Sequence, residues 1–442
     1  MTHRTSGPAA AAVLRQHAEA VTAGICEQDQ AWGTSGWTRR RFLAGMGMVG
    51  VAALGSQLVT TRVAYGAPSV STGNTLITVF LRGAADGLRI LVPASSDLGV
   101  DYLRTVRSSL VPADADLLAL DGSQGWALNK AMAPLLPLWG TGELAFVPAV
   151  SASGISRSHF QAQQYIEKGG SDTLATGWLD RVLQQLGPGT TFRALSEGSA
   201  LPASMTGDQA KLVMNSLKDF TFPGWDGVAP QSETAIRALY RGLAGPLGED
   251  VPTTLAAITT AESAQTSAGA QNGAVYPSGN FSAALSDIAT LLRAEVGLEV
   301  ATVDVGGWDT HTDEAGDLDR ALTSAANSLS AFLTDLGPTR SKRVTVVVVT
   351  EFGRRVGMNA SGGTDHGHGS VMWLLGGGLS GAGVYGKWNQ LSDATLADGD
   401  VAGLNSAFDV LGELAAKRLG AVDLASIFPG RAPGSLGVAT SA

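Results

Sequence analysis

An α/β fold with a mostly parallel central sheet, helices on both faces and an inserted cap is predicted by three observations. Residues 75–81, 299–305 and 344–349 are short β-branched runs with the near-continuous apolar character of strands buried on both faces. Segments 281–296 and 318–336, with apolar residues at helical spacing, alternate with them. Each run ends in a turn that carries an acid, at the edge where open α/β sheets bind ligands.

Along the chain, the first strand feeds Arg82-Gly83-Ala84-Ala85-Asp86-Gly87, a glycine turn with an acid at its tip. A strand is expected at 143–150, then a polar turn at 151–158 and a helix over 159–167 closed by Gly169-Gly170. From 187 to 279 the composition turns to Ser, Thr, Ala, Pro and Gly with fewer long apolar runs, which reads as the inserted cap. One more strand is expected at 370–375 and a closing helix at 405–419. Gly376, Gly378 and Gly381 match a dinucleotide-binding spacing, but no amphipathic helix follows, so a wide glycine turn is the preferred reading.

With 442 residues, 44% hydrophobic and 16% charged, the chain is long enough to bury a large core. A net charge of -9, with no basic stripe among aromatics, argues against a nucleic-acid partner. Thr38-Arg39-Arg40-Arg41-Phe42-Leu43 precedes an apolar Gly- and Ala-rich run reaching about Val59, with small residues at 64–67 where a peptidase can cut. This resembles a twin-arginine export signal, and the run is short for a membrane span. A leader over 1–37, a signal over 38–67 and a mature domain over 68–442 follow, with export by the twin-arginine machinery to the periplasm or beyond. Cys26, the sole cysteine, falls in the leader, so the mature chain has neither disulfides nor thiolate ligands. A divalent metal must then be held by oxygen and imidazole, which admits zinc, manganese, magnesium, calcium or iron.

Four of the six histidines lie in three short motifs, and the other two, His3 and His17, lie in the leader. Thr364-Asp365-His366-Gly367-His368 sets two imidazoles and a carboxylate among glycines, the composition of a metal or phosphate site. Asp309 and His311 are two apart, as are His366 and His368, so an extended backbone presents each pair to one ion. Asp86 is a metal ligand or a turn aspartate capping local N–H groups. Asp313 is a ligand or a helix cap. Glu351 either forms a surface salt bridge with Arg354 or Arg355, or holds metal while arginine grips an anionic substrate. Ser158 opens a helix, as an N-cap or as a nucleophile activated by metal. No G-x-S-x-G elbow occurs.

Taken together, Arg39-Arg40-Arg41-Phe42-Leu43, Gly83-Ala84-Ala85-Asp86-Gly87-Leu88, Ser158-His159-Phe160-x-Ala162-Gln163, Gly307-Trp308-Asp309-Thr310-His311, Thr350-Glu351-Phe352-Gly353-Arg354 and Gly363-Thr364-Asp365-His366-Gly367 resemble the bacterial exported family known as domain of unknown function 1501. That family is similar in fold to the alkaline phosphatase and sulfatase superfamily, which implies an alkaline-phosphatase-like domain over 68–442 and hydrolysis of phosphate or sulfate esters with two metal ions. Asp86, Ser158, Asp309 with His311, Glu351, and Asp365 with His366 occupy the superfamily's order of an acid, a nucleophile and late Asp and His ligands. Glu351-Phe352 departs from it, standing where the superfamily carries Asp-His.

The expectation is an exported metal-dependent hydrolase of anionic esters. Metal is held by Asp309, His311, His366 and His368, Asp86, Glu351 and Asp365 complete or bridge the site, Ser158 or a bound water attacks, and Arg354 stabilises the oxyanion. The rival is a noncatalytic exported envelope or polysaccharide-associated protein that retains the fold and a structural metal.

Overall fold

The computed structural model describes residues 59–60, 73–152, 156–222, 229–243 and 246–441. The leader with Cys26, the arginine signal and the expected cleavage site fall outside the described residues. Among the described residues, no helix is long and apolar enough to cross a membrane.

The strands, in chain order, are β1 (Thr75–Leu81), β2 (Leu91–Pro93), β3 (Leu117–Ala119), β4 (Trp126–Asn129), β5 (Leu144–Ser151), β6 (Ala194–Glu197), β7 (Lys211–Met214), β8 (Val300–Val305), β9 (Val344–Thr350), β10 (Ser370–Gly376), β11 (Gly383–Val384) and β12 (Asn405–Ser406). The main sheet runs β7-β6-β8-β1-β9-β10-β5-β11, with Val59–Thr60 outside β7 and β12 also paired to β5. The five strands from β7 to β9 are mutually parallel. Only β10, among the central strands, runs against its neighbours. A small antiparallel sheet, β2-β4-β3, stands apart.

Every residue of β1 and β9 is buried, as the unbroken apolar runs require. The period of two then divides each strand between two cores. Ile77, Val79, Leu81, Val346 and Val348 enter one core, and Leu76, Phe80, Val347 and Val349 enter the other. The first core is covered by α5 (Asn280–Arg293) and α6 (Glu314–Arg340). The second is covered by α2 (Trp178–Leu186) and α7 (Ala407–Leu419). Helices thus lie on both faces, as expected for a mostly parallel sheet, and α1 (His159–Glu167) leads from β5 toward α2.

The expected cap over 187–279 is corrected in its first half. β6 and β7 fall inside that range and extend the main sheet beyond β8. They are only four residues each, and short strands among polar residues leave little periodicity to read. The remainder holds α3 (Ala229–Tyr240) and α4 (Pro246–Gln265). Ala257, Ile258, Ala261 and Ala264 of α4 join the core beside α5. The polar contacts of the site described below all come from outside 187–279.

The topology decides where the site lies. β1, β5, β8 and β9 share one direction, so the turns after them meet at one edge, and β10, running the other way, begins there. Segments 82–86, 156–159, 306–311, 351–354 and 364–369 are therefore neighbours in space although far apart in sequence.

Candidate metal centre

After β8 the chain turns at Gly307, where φ is +92°, and tight turns follow through Thr310 N–H to Trp308 O and His311 N–H to Asp309 O, with Trp308 and Thr310 buried. Asp309 and His311 alternate with them and face outward, their side chains 45% and 41% exposed. Gly83 permits this turn to approach β1. Its φ is +126°, and a Cβ there would lie 2.5 Å from the Asp309 nitrogen. Beyond β9, residues 353–355 pair with 365–368 through Gly353 N–H to His368 O at 2.8 Å, Gly367 N–H to Gly353 O at 2.8 Å and Arg355 N–H to Asp365 O at 2.9 Å. Gly367 is required at this crossing, since a Cβ would lie 2.3 Å from the Arg354 carbonyl carbon. The pairing sets His366 beside the Asp309 turn.

His159, Asp309 and His366 present ligand atoms within 4.8 Å of one another. His159 Nε2 and His366 Nε2 are 3.0 Å apart, His366 Nε2 and Asp309 Oδ1 3.3 Å, and His159 Nε2 and Asp309 Oδ2 3.6 Å. Ligands about 2.0–2.1 Å from a tetrahedral ion stand about 3.3–3.4 Å from one another, and these separations, two of which run to different oxygens of Asp309, lie close to that. His311 Nε2 adds a fourth donor, 3.0 Å from His366 Nε2 and 3.1 Å from Asp309 Oδ1.

The protons on these imidazoles are fixed from behind. His159 Nδ1 is 2.8 Å from Glu351 Oε1, His311 Nδ1 is 3.3 Å from Asp365 Oδ1, and His366 Nδ1 is 2.9 Å from the Arg157 carbonyl oxygen. Each of those partners is an acceptor, so in the neutral imidazole the proton sits on Nδ1 and Nε2 keeps its lone pair. In that tautomer three lone pairs converge on the Asp309 carboxylate, whose Oδ1 also accepts from the Arg354 guanidinium. A metal cation among the three nitrogens would relieve their mutual repulsion.

The acids around the site are held ionised. Burial opposes charge on Glu351, but hydrogen bonds from Gln163, His159 and the Gly83 N–H outweigh it and hold its carboxyl below the usual range. Burial likewise opposes charge on Asp309, and the Arg354 guanidinium overcomes it. For Asp365 the leading cause is the hydrogen bond from Asn359, which lowers its pKa.

The expected ligands divide. Asp309, His311 and His366 come together, while Glu351 and Asp365 stand behind His159 and His311. Asp86 is corrected: it is buried, caps the short helix Gly87–Ile90 through Leu88 N–H, and pairs with buried Arg107 at 2.9 Å. Arg107 in turn lies 3.9 Å from Glu314, so its guanidinium is the cation between these two acids. Arg354 is corrected from an oxyanion contact to a clamp. It is 1% exposed and donates to the carbonyls of Gly83, Ala84, Trp308 and Thr364 and to Asp309. Ala84, held in the left-handed region at φ 63°, is fixed by this bond.

His368 is corrected as well: it lines a neighbouring cavity with Ser151 and Tyr165, where burial lowers its pKa. The segment has one isolated bridge and three backbone bonds to residues 353–355 but forms no continuous strand, so a period of two does not govern its side chains. Asp313 sits at the start of α6 without a capping side-chain bond. Ser158, exposed at the start of α1, makes no capping bond either. The reading from sequence missed His159 as a ligand, and with it Gln163, Arg157 and Asp400. The signal for His159 was the concentration of histidines in motifs, which included Arg157-Ser158-His159.

No curated protein matches the chain by sequence. Among solved structures, the chain is similar to the lipoteichoic acid synthase LtaP from Listeria monocytogenes, at 9% identity and TM-score 0.29 over 76% of this chain and 74% of that one. It is similar to a putative sulfatase from Bacteroides thetaiotaomicron, at 9% identity and TM-score 0.34 over 82% and 76%. It is also similar to the alkaline phosphatase of the Antarctic bacterium TAB5, at 10% identity and TM-score 0.28 over 70% and 94%. The description "Protein of unknown function (DUF1501)" matches residues 141–410, which hold every group of the histidine cluster. The chain belongs to the DUF1501 family.

Proposed function

We propose that the protein is an exported, metal-dependent hydrolase of phosphate or sulfate esters, with one divalent ion held by His159, Asp309 and His366 and joined by His311. The observation that carries the reading is the convergence of Nε2 atoms on the Asp309 carboxylate, with a hydrogen-bond acceptor against each Nδ1. Three nitrogens and an oxygen suit zinc or another transition ion better than magnesium or calcium, which take oxygen ligands. When bound, such an ion supplies a Lewis acid for the ester and lowers the pKa of a coordinated hydroxyl.

Exposure separates a catalytic centre from a structural one. Structural zinc sites are closed, but here Asp309 and His311 are nearly half exposed, and His159 and His366 are 25% and 22% exposed. Ser158, directly before His159, is free of capping duty and is the proposed nucleophile, with water as its alternative. The first N–H groups of α1 lack intrahelical acceptors and receive no cap from Ser158, which suits them to the ester's charged oxygens. Overall, a water oxygen bonds to phosphorus or sulfur, the bond to the ester oxygen breaks, and the released proton passes to the departing alcohol. Export rests on the sequence Arg39-Arg40-Arg41-Phe42-Leu43 and its apolar run.

The test is metal analysis of purified protein followed by turnover of aryl phosphates and sulfates. About one transition ion per chain, and activity lost with His366→Ala, is the expected result. A full equivalent of metal with no turnover of any ester favours the second reading, a noncatalytic protein with a structural metal. The commitment of both Asp86 and Arg354 to internal contacts is the observation on that side.

A further inference from the structure

A cavity of about 390 Å3 lies beside the histidine cluster, lined by Ser151, Ser156, Gln161, Tyr165, Asp172 and His368. Glu351 and Phe352 form the wall it shares with the cluster. The Phe352 ring lines the cavity and also stacks on His159, with centroids 5.1 Å apart and planes at 29°. Residues 156–161 border both places, since Ser156 and Gln161 line the cavity while His159 reaches the cluster. The volume is that of a small-molecule site.

The lining selects one chemistry. Hydroxyls, an amide and an imidazole stand with the exposed carboxylate of Asp172, Glu351 being buried and held by protein donors, and no lysine or arginine lines the cavity. A phosphate-rich ligand such as a nucleotide meets the negative charge of Asp172 there, and the Arg431 guanidinium beside Tyr165 is already bonded to that hydroxyl. An acyl chain meets too many polar groups. A polyhydroxylated ring satisfies both, because its hydroxyls donate to Asp172 and accept from Ser, Gln and Tyr, while its C–H face packs on Tyr165 and Phe352. Phe160, beside Gln161 on α1 and 83% exposed, adds an aromatic ring on the same helix.

We infer that this cavity seats the sugar unit of a phosphorylated or sulfated saccharide, the alcohol from which the neighbouring centre removes the anionic group. The inference rests on the hydrolase reading for the reaction but not for the binding. The test uses metal-loaded full-length protein and saturation-transfer NMR with neutral N-acetylglucosamine and galactose, then kinetics on their 6-sulfates and 6-phosphates against an aryl ester. Asp172 and Gln161 are exposed, so Asp172→Asn and Gln161→Ala are expected to fold. Each variant is expected to raise KM for saccharide esters about tenfold, with kcat and the aryl-ester KM unchanged. Absence of transfer to both neutral sugars, or a saccharide KM unmoved in both variants, overturns the inference. Sugar binding without turnover of any ester would sink the hydrolase reading and leave the cavity assignment standing, whereas aryl turnover without sugar binding does the reverse.

Discussion

His159 Nδ1 lies 2.8 Å from Glu351 Oε1, so a carboxylate buried at the end of β9 fixes an imidazole at the start of α1, 192 residues away. The same Oε1 accepts from Gly83 N–H and Gln163 Nε2. Glu351→Gln keeps an oxygen in that place, removes the charge and replaces the Oε2 that accepts from Thr350. Without the charge, His159 is a weaker base at Nε2, and zinc affinity is expected to fall about 10- to 100-fold, read by chelator competition. Unchanged affinity would show that His159 is not a ligand.

Arg157 links His366 to a segment that no motif includes. Its carbonyl accepts from His366 Nδ1, and its guanidinium meets fully buried Asp400 at 2.7 Å and largely exposed Asp398 at 3.0 Å. Removing the buried partner frees the loop that orients His366, whereas an exposed ion pair is screened and weak. Asp400→Asn is expected to weaken zinc binding about tenfold and Asp398→Asn less than twofold. Equal effects in the same titration would remove this clasp from the site.

Glu314 gives the fold a pH dependence. Burial, with Asp86 close by, pushes its carboxyl up to about 8, against an ordinary value of 4.5. Between those values the folded chain holds a proton that the unfolded chain has released, so stability falls as pH rises through this window. Burial pushes Glu197 up to about 9, with Asp287 adding to it, and its contribution has the same sign. Urea midpoints measured with chelator present are expected to decline from pH 5 to pH 8.5 in the natural chain. They should decline less in Glu314→Gln and least when Glu197→Gln is added. A decline unaltered by both substitutions would show that neither carboxyl retains its proton on folding.

Much of the scaffold was legible because its signals are local. The unbroken apolar runs of β1 and β9 and the helical spacing of α5 and α6 each follow from residues within one segment. Asp309 and His311 were legible for the same reason, since buried Trp308 and Thr310 enforce the alternation. His159 was not, because a single histidine at a helix start has no partner at a telling spacing and its partners lie 150 to 207 residues away. Arg107 and Asp400 carry no periodic signature either. Their roles depend on long-range ion pairs that exist only once the strand ends meet.

Asp86, Arg107 and Glu314 form a second charged group, each at most 1% exposed. Arg107 stands 2.9 Å from one acid and 3.9 Å from the other, so the positive charge this turn needs is already supplied by protein. A metal ion placed there would meet the guanidinium first, which favours a single bound ion rather than a pair. Asp86→Asn retains the oxygen that caps Leu88 N–H and removes the neighbouring charge that favours the Glu314 proton, so Glu314 can ionise against Arg107. It is expected to lower stability by about 1–3 kcal/mol while metal content stays at one ion per chain. Arg107→Met, which strands two buried acids, is expected to cost about 3–5 kcal/mol. Metal analysis of the Asp86→Asn protein decides the matter, since loss of the ion with the fold intact would return Asp86 to the ligand set.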